Sequence, residues 1–309
     1  MKFSVVIPLY NKEHYIGKTL KSVLNQTFQD FEIIVVNDGS TDHSLDAARS
    51  IKSDRVQIIS QENAGVAVAR NTGIEHASAE YIAFLDADDE WHPEYLQTIN
   101  ALTEKFPNSD MFVTAYRIVM GNEKYHYSAH LSDEPICLES YWCTFQNAYD
   151  IVWTSATAIR KQAIVKAGMF TPGEKIGQDL DLWARVARNN PKVAYSPEIC
   201  VDYNRGAEQN ARTRVKIAYP KAFMNVLTQE MKCDNWNAEE KKWMENKYNK
   251  KMTVYVFTSI LAGERKKARS ILKTWRLEHP YKLIPFLYFS SICPTVLNKW
   301  VYNVRLKVF

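Results

Sequence analysis

The chain is poor in the residues that staple or stretch a protein. It holds 5 Cys in 309 residues, at positions 137, 143, 200, 233 and 293, with no CxxC or CxxH pair among them. An odd count argues against a disulfide framework and for a reduced compartment. With 10 Gly and 11 Pro, collagen-like and low-complexity architectures are excluded. Long apolar runs are also lacking. The opening Met1-Lys2-Phe3-Ser4-Val5-Val6-Ile7-Pro8 turns polar at Asn11 and is too short for a secretory leader. The longest uncharged stretch, 283–298, is broken by Pro285 and Pro294 and falls short of the ~20 residues of a spanning helix. No Walker A loop and no GxGxxG is present, so a glycine cradle for phosphate is unsupported. What remains is 46% apolar and 24% charged, the composition of one or two globular domains with a full core.

Charge divides the chain. Residues 1–214 carry 21 basic and 28 acidic side chains, net −7, whereas 215–309 carry 18 and 7, net +11. We expect an acidic domain over 1–214 and a basic, aromatic-rich helical region over 215–309, with different partners.

The first ninety residues alternate between strand and helix periodicity, the pattern of βαβ units around a mostly parallel sheet. Phe3–Leu9 reads as a buried strand, and Ile16, Leu20, Val23 and Leu24 stripe a helix. Glu32 to Val36 forms a second strand; Thr41 or Asp42 then caps a helix carrying Leu45, Ala48 and Ile51. Val56 to Ile59, a helix over Val66–His76 and a strand over Tyr81 to Leu85 complete the series. Beyond it the pattern predicts a helix over 93–105, a strand over 111–119, a hairpin or loop region to 150, a strand over 152–159 and a helix over 179–188. Ligands of open α/β sheets gather at the carboxyl ends of strands.

Chemistry concentrates at those ends. Phe84-Leu85-Asp86-Ala87-Asp88-Asp89 packs three acids after a buried strand, a set suited to a hard divalent ion shared with a diphosphate; the plainer alternative is a solvated turn with Asp89 as a helix cap. Asp38 follows the second strand, where an acid can accept from a ribose, although Asp38-Gly39 is also a good turn. In Ile7-Pro8-Leu9-Tyr10-Asn11, Tyr10 offers a ring for a flat base. Asn63-Ala64-Gly65 leads to Arg70, a fork for phosphate or carboxylate. Gly177-Gln178-Asp179-Leu180-Asp181 places two acids at a helix start, where caps are common. The histidines His14, His43, His76 and His92 read as solvated surface.

In order and spacing, these five segments resemble glycosyltransferase family 2, inverting enzymes of GT-A fold, over roughly residues 3–205. The resemblance implies a donor site built from Pro8, Tyr10, Asn11, Asp38, Arg70, Asp86 and Asp88, with Asp86-Ala87-Asp88 as the DxD motif and Asp88 as ligand of Mn²⁺ or Mg²⁺. It implies Asp179 as catalytic base and Trp153, Gln178 and Trp183 at the acceptor, with Ser155 and Thr157 in the same region. Two departures stand out. The usual Glu-Asp pair reads Gln178-Asp179, and the His that many relatives carry after a Tyr-Arg pair is missing from Tyr203-Asn204-Arg205-Gly206. Either Asp88, diphosphate and water hold the metal, or Arg205 supplies charge to the leaving group.

The segment 264–277 mixes cations with Ile271, Leu272, Trp275 and Leu277. Together with the apolar 283–296 it suits the surface of an anionic membrane; the alternatives are a helical layer on the sheet or a homodimer interface. Nucleic acid is a poorer reading, because the first part is net acidic, and no nucleic-acid partner is expected. The expected protein is a cytoplasmic enzyme peripheral to the inner face of the membrane, moving a sugar from a UDP donor to a saccharide or lipid-linked saccharide. Its rivals are a non-catalytic glycan- or nucleotide-binding protein and a sugar-nucleotide pyrophosphorylase, whose basic glycine-rich loop is replaced here by Tyr10-Asn11-Lys12-Glu13.

Overall fold

A computed structural model of the chain describes residues 1–120, 123–126, 131–146, 151–206, 219–278 and 291. Strands β1 (Phe3–Leu9), β2 (Phe31–Asp38), β3 (Val56–Gln61) and β4 (Tyr81–Phe84) run parallel in the order β3-β2-β1-β4. Their crossovers are helices α1 (Ile16–Leu24), α2 (Ser44–Arg49) and α3 (Val66–His76). The cap expected at Thr41 or Asp42 is not formed there: the N-cap position of α2 is His43, which makes no side-chain cap, and Asp42, one residue earlier, accepts from the Ser44 N–H at 3.0 Å through Oδ1.

After β4 the sheet becomes mixed rather than mostly parallel. The 10-stranded sheet continues through β9 (Thr157–Arg160), β6 (Met111–Met120), β10 (Val193–Asn204) and the short β5 (Glu90–Trp91). β9 is antiparallel to both β4 and β6, while β6 and β10 are parallel. The hairpin partner β7 (Glu123–His126) pairs with β6, and β8 (Ile136–Leu138) with β10. The strand expected over 152–159 is shorter: Thr154–Ala156 is a 3-10 turn and β9 begins at Thr157, because the hydroxyls of Thr154 and Ser155 are committed to carboxylates elsewhere in the chain.

Successive residues of β1 serve opposite faces. Phe3, Val5, Ile7 and Leu9 pack with Ile16, Leu20 and Val23 of α1 and with Tyr95, Leu96 and Ile99 of α4 (Tyr95–Lys105). Val6, with Ile34 and Val36 of β2, joins the other face, covered by α3 and by Leu180, Trp183 and Val186 of α6 (Gln178–Asn189). A strand buried on both faces reads as a continuous apolar run, as this one does.

The helices α7 (Lys221–Lys232), α8 (Ala238–Leu261) and α9 (Arg265–Glu278) continue that second face. Asn237 and Glu240 form a capping box at the start of α8. Glu230 of α7, 1% exposed, pairs with Arg188 of α6 at 2.5 Å. Trp275, expected at a membrane surface, is instead 1% exposed, with its Nε1–H donated to Asn249 Oδ1 at 3.0 Å. Leu272 is buried beside it. The apolar stripe of α9 is therefore used inside the molecule, and its cations Lys266, Lys267, Arg269 and Lys273 are exposed. No helix among the described residues is long and apolar enough to cross a membrane. The expected boundary at 214–215 lies outside the described residues, as does the segment 283–296 apart from Ser291.

Candidate active site

The loops that follow β1, β2 and β4 converge, and backbone geometry explains how. Asn11 sits at φ 52°, a left-handed conformation that asparagine tolerates. Its Oδ1 accepts from the Thr41 N–H at 2.8 Å, and its own N–H donates to Ser40 Oγ at 3.2 Å, tying the first loop to the second. Gly39 has φ +67°, and a Cβ there would lie 2.8 Å from the Asn63 backbone nitrogen; glycine is required by both conformation and proximity. Pro8 lies within β1 opposite Val36, and Tyr10 is half-buried just beyond the strand.

Asp38 closes β2 and is buried. It accepts from Gln61 Nε2 at 2.8 Å, from the Ala64 N–H at 2.9 Å and from the Gly65 N–H at 2.9 Å. The carboxylate thereby shapes the 63–65 loop that opens α3. Arg70, on α3, is buried and donates from Nη2 to Asp86 Oδ1 at 2.6 Å.

The three acids after β4 have separate partners. Asp86 is held by Arg70, and its backbone N–H donates to Ser155 Oγ at 3.1 Å. Asp88 Oδ2 lies 2.6 Å from Lys12 Nζ. Burial pushes the Asp88 carboxyl above its usual range, against the pull of the Lys12 ammonium and with a further push from Asp86. Asp89, 1% exposed, accepts from Ser155 Oγ at 2.5 Å and from the Asn204 N–H at 2.9 Å. Burial holds its carboxyl well above the usual range, and the charges of Asp88 and Asp86 add to this. Asp89 is thus neither a solvated turn residue nor a cap: the N-cap position of α4 is Glu94, which makes no side-chain cap.

Asp179 lies in the first turn of α6. Its Oδ1 accepts from the Leu180 N–H at 2.8 Å and its Oδ2 from Thr154 Oγ1 at 3.1 Å. Thr154 precedes Ser155, so one turn of backbone connects the expected base to the acids after β4. Asp181, the other acid of that turn, is taken by Arg185 and Thr171, each 2.7 Å from its Oδ2. Gln178 is buried and donates to the Glu174 carbonyl at 3.0 Å.

Two sequence expectations need correction. Trp183 is 0% exposed and packs against Phe84 and Phe170, with ring centroids 5.5 and 5.9 Å away; a ring with no accessible face cannot stack on a sugar. His92 is not solvated surface. Its Nε2 lies 3.1 Å from Asp202 Oδ1, which Arg117 also engages. Burial pulls the Asp202 carboxyl up, but hydrogen bonds from Arg117 and His92 outweigh it and leave the group below its usual range. Trp153, by contrast, is half-buried with its ring centroid 4.3 Å from that of Tyr203, beside Thr154.

Sequence reasoning missed Lys12 and Thr154. The only signal for Lys12 is a cation directly after Tyr10-Asn11; its partner lies 76 positions away. Among the described residues no group of three or more His, Cys, Asp and Glu is arranged to hold a metal ion.

Parallel strands ending in a nucleotide-type loop cluster, with an antiparallel strand inserted and an acidic helix start opposite, define a GT-A glycosyltransferase fold. Residues 4–168 match the model of Glycosyl transferase family 2, and the chain belongs to that family. It is 36% identical over 179 residues to an uncharacterized glycosyltransferase of Nostoc sp., covering 56% of this chain and about half (55%) of that relative. Among solved structures, residues 1–349 of S. aureus TarS in complex with UDP-GlcNAc superpose with a TM-score of 0.75 at 20% identity, covering 94% of this chain and 87% of that one. A mannosyltransferase of Pyrobaculum calidifontis in complex with GDP-Man and Mn²⁺ gives 0.59 at 15% identity, over 98% and 87%. At such identities the two structures speak for the fold.

Proposed function

We propose that the chain is an inverting, metal-dependent glycosyltransferase that moves a hexosyl or N-acetylhexosaminyl group from a UDP-linked donor to a hydroxyl of a saccharide or lipid-linked saccharide in surface-polysaccharide synthesis. The observation that carries this reading is the linkage Arg70–Asp86–Ser155–Asp89, continued by Thr154 to Asp179. It sets a carboxylate suited to proton abstraction at a fixed place relative to the carboxylates suited to a diphosphate.

In this reading Pro8, Tyr10, Asn11 and Asp38 shape the nucleotide end of the site, with Asp38 acting through the 63–65 loop it orders. Asp86, held by Arg70, faces the ribose. Asp179 takes the proton from the acceptor hydroxyl as its oxygen attacks the anomeric carbon; the bond to the diphosphate oxygen breaks on the opposite face, so the configuration inverts. Trp153 and Gln178 border the acceptor. The donor chemistry fits a hard divalent ion, which takes one or two carboxylates and completes its shell with phosphate oxygens and water; Asp88 would hold it, and Mn²⁺ or Mg²⁺ would neutralise charge developing on the leaving diphosphate. The exposed cations of α9, Lys266, Lys267, Arg269 and Lys273, support contact with an anionic membrane by charge rather than by insertion.

The test is the melting temperature of the protein with UDP, GDP, CDP or dTDP, with and without Mn²⁺, since a selective ligand stabilises by linkage. A rise with UDP that grows with Mn²⁺ and disappears in Asp88→Ala is expected. A rise with another nucleotide alone would replace the donor, and no rise with any would overturn the assignment.

A further inference from the structure

The carboxylate assigned above to a divalent ion already has a cation of its own. Lys12 Nζ lies 2.6 Å from Asp88 Oδ2, with the two side chains 11% and 14% exposed. The root of Lys12 is fixed: its backbone N–H donates to Ser44 Oγ at 2.6 Å, and the preceding Asn11 is locked to Thr41. Its four-carbon stem, however, lets the ammonium re-aim without moving the backbone. The neighbouring acids are committed elsewhere, Asp86 to Arg70 and Asp89 to Ser155 and Asn204. Lys12 is therefore the charge that offsets Asp88.

An ammonium and a divalent ion compete for that carboxylate. Both need its lone pairs, and like charges at contact distance repel, the more so where water is scarce. A metal that reaches Asp88 does so against the charge of the Lys12 ammonium, 2.6 Å from its Oδ2 in a mostly buried site. A diphosphate changes this balance, because its oxygens offer the ammonium new acceptors within the same site.

We propose that Lys12 is a built-in counter-ion that keeps Asp88 closed to divalent cations until a nucleoside diphosphate arrives, and then passes from Asp88 to the diphosphate. The inference rests on the reading of Asp88 as metal ligand. Metal and nucleotide binding are then coupled through one side chain, and the coupling is reciprocal. The site avoids trapping free metal, and a positive charge stands at the leaving group once the nucleotide is bound.

The experiment titrates Mn²⁺ into the full chain and follows the electron paramagnetic resonance signal of the free ion, with no nucleotide and with saturating UDP. Wild type is compared with Lys12→Met and with the charge-retaining Lys12→Arg; Lys12→Gln is the second neutral variant should Lys12→Met not fold. Without nucleotide, the neutral variant binds Mn²⁺ about tenfold tighter than wild type or Lys12→Arg, within the usual range of coupling between ligands. UDP tightens Mn²⁺ binding by a smaller factor in the neutral variant, and UDP in excess EDTA binds it more weakly. Nucleotide-free Mn²⁺ affinity within twofold of wild type in the neutral variant overturns the role of Lys12. Unchanged Mn²⁺ affinity in Asp88→Ala overturns the metal-ligand reading itself, and the inference with it.

Discussion

Replacing Asp179 by Asn separates chemistry from architecture. In the structure Asp179 uses one oxygen for the Leu180 N–H at 2.8 Å and the other for the Thr154 hydroxyl at 3.1 Å. An amide in the same pose keeps an oxygen for the N–H, and its NH₂ can donate to the Thr154 oxygen once that hydroxyl turns. Stability should therefore change by no more than about 0.5 kcal/mol, as for substitutions that preserve their contacts. Neither of these bonds reaches Asp38, Arg70 or Asp88, so donor affinity should hold. Proton abstraction should not. A positioned general base contributes about 10²–10⁴-fold, or about 2.7–5.4 kcal/mol at ~1.36 kcal/mol per tenfold. The assay is UDP release with an acceptor that supports turnover, read as kcat and donor KM, beside the melting temperature with and without UDP and Mn²⁺. We expect kcat to fall by about 10²–10⁴ with donor KM and melting behaviour intact. Asp179→Ala should add about 0.5–2 kcal/mol of instability, because the Leu180 N–H loses its acceptor in the first helical turn. Turnover of Asp179→Asn within threefold of wild type would remove Asp179 from the chemistry.

Two further substitutions probe the frame. A Cβ at Gly73 would lie 2.4 Å from Val6 Cγ1, so Gly73→Ala forces α3 away from β1; overpacking of this kind costs about 1–3 kcal/mol, and an unchanged melting temperature would contradict so close an approach of the helix to the strand. Asp89 has a raised pKa in the fold, so its stabilising contribution is complete below 3.8, its ordinary value, and is lost as pH rises through the folded value. Asp89→Asn carries no such loss, so its stability relative to wild type should increase between pH 5 and pH 8 in urea unfolding; a difference independent of pH would refute the burial argument.

The first ninety residues are legible because their information is local. Val66–His76 is the helix that the pattern predicts, and β1 to β3 begin within a residue or so of their apolar runs. β10 is hidden in the sequence because Pro197 and Glu198 interrupt its alternation; the strand absorbs them through register shifts between Ser196 and Val201. Residues 152–159 read as one strand, yet Thr154 and Ser155 leave extended geometry to meet Asp179 and Asp89. Trp183 falls on the expected helix but on its inward face, because a helix start rich in acid masks which side turns to the core.

The donor-side acids and the expected base can be picked out as types, since side-chain chemistry and spacing along the chain are written in the sequence. Their pairing cannot. Lys12 meets Asp88 across 76 positions, Ser155 meets Asp89 across 66, and Asn204 reaches Asp89 across 115. The strength of such contacts depends on distance in space and on the water removed around them. Both quantities come into being only when β1, β4, β9 and β10 are laid side by side, which is why a list of acids becomes a site only with the fold.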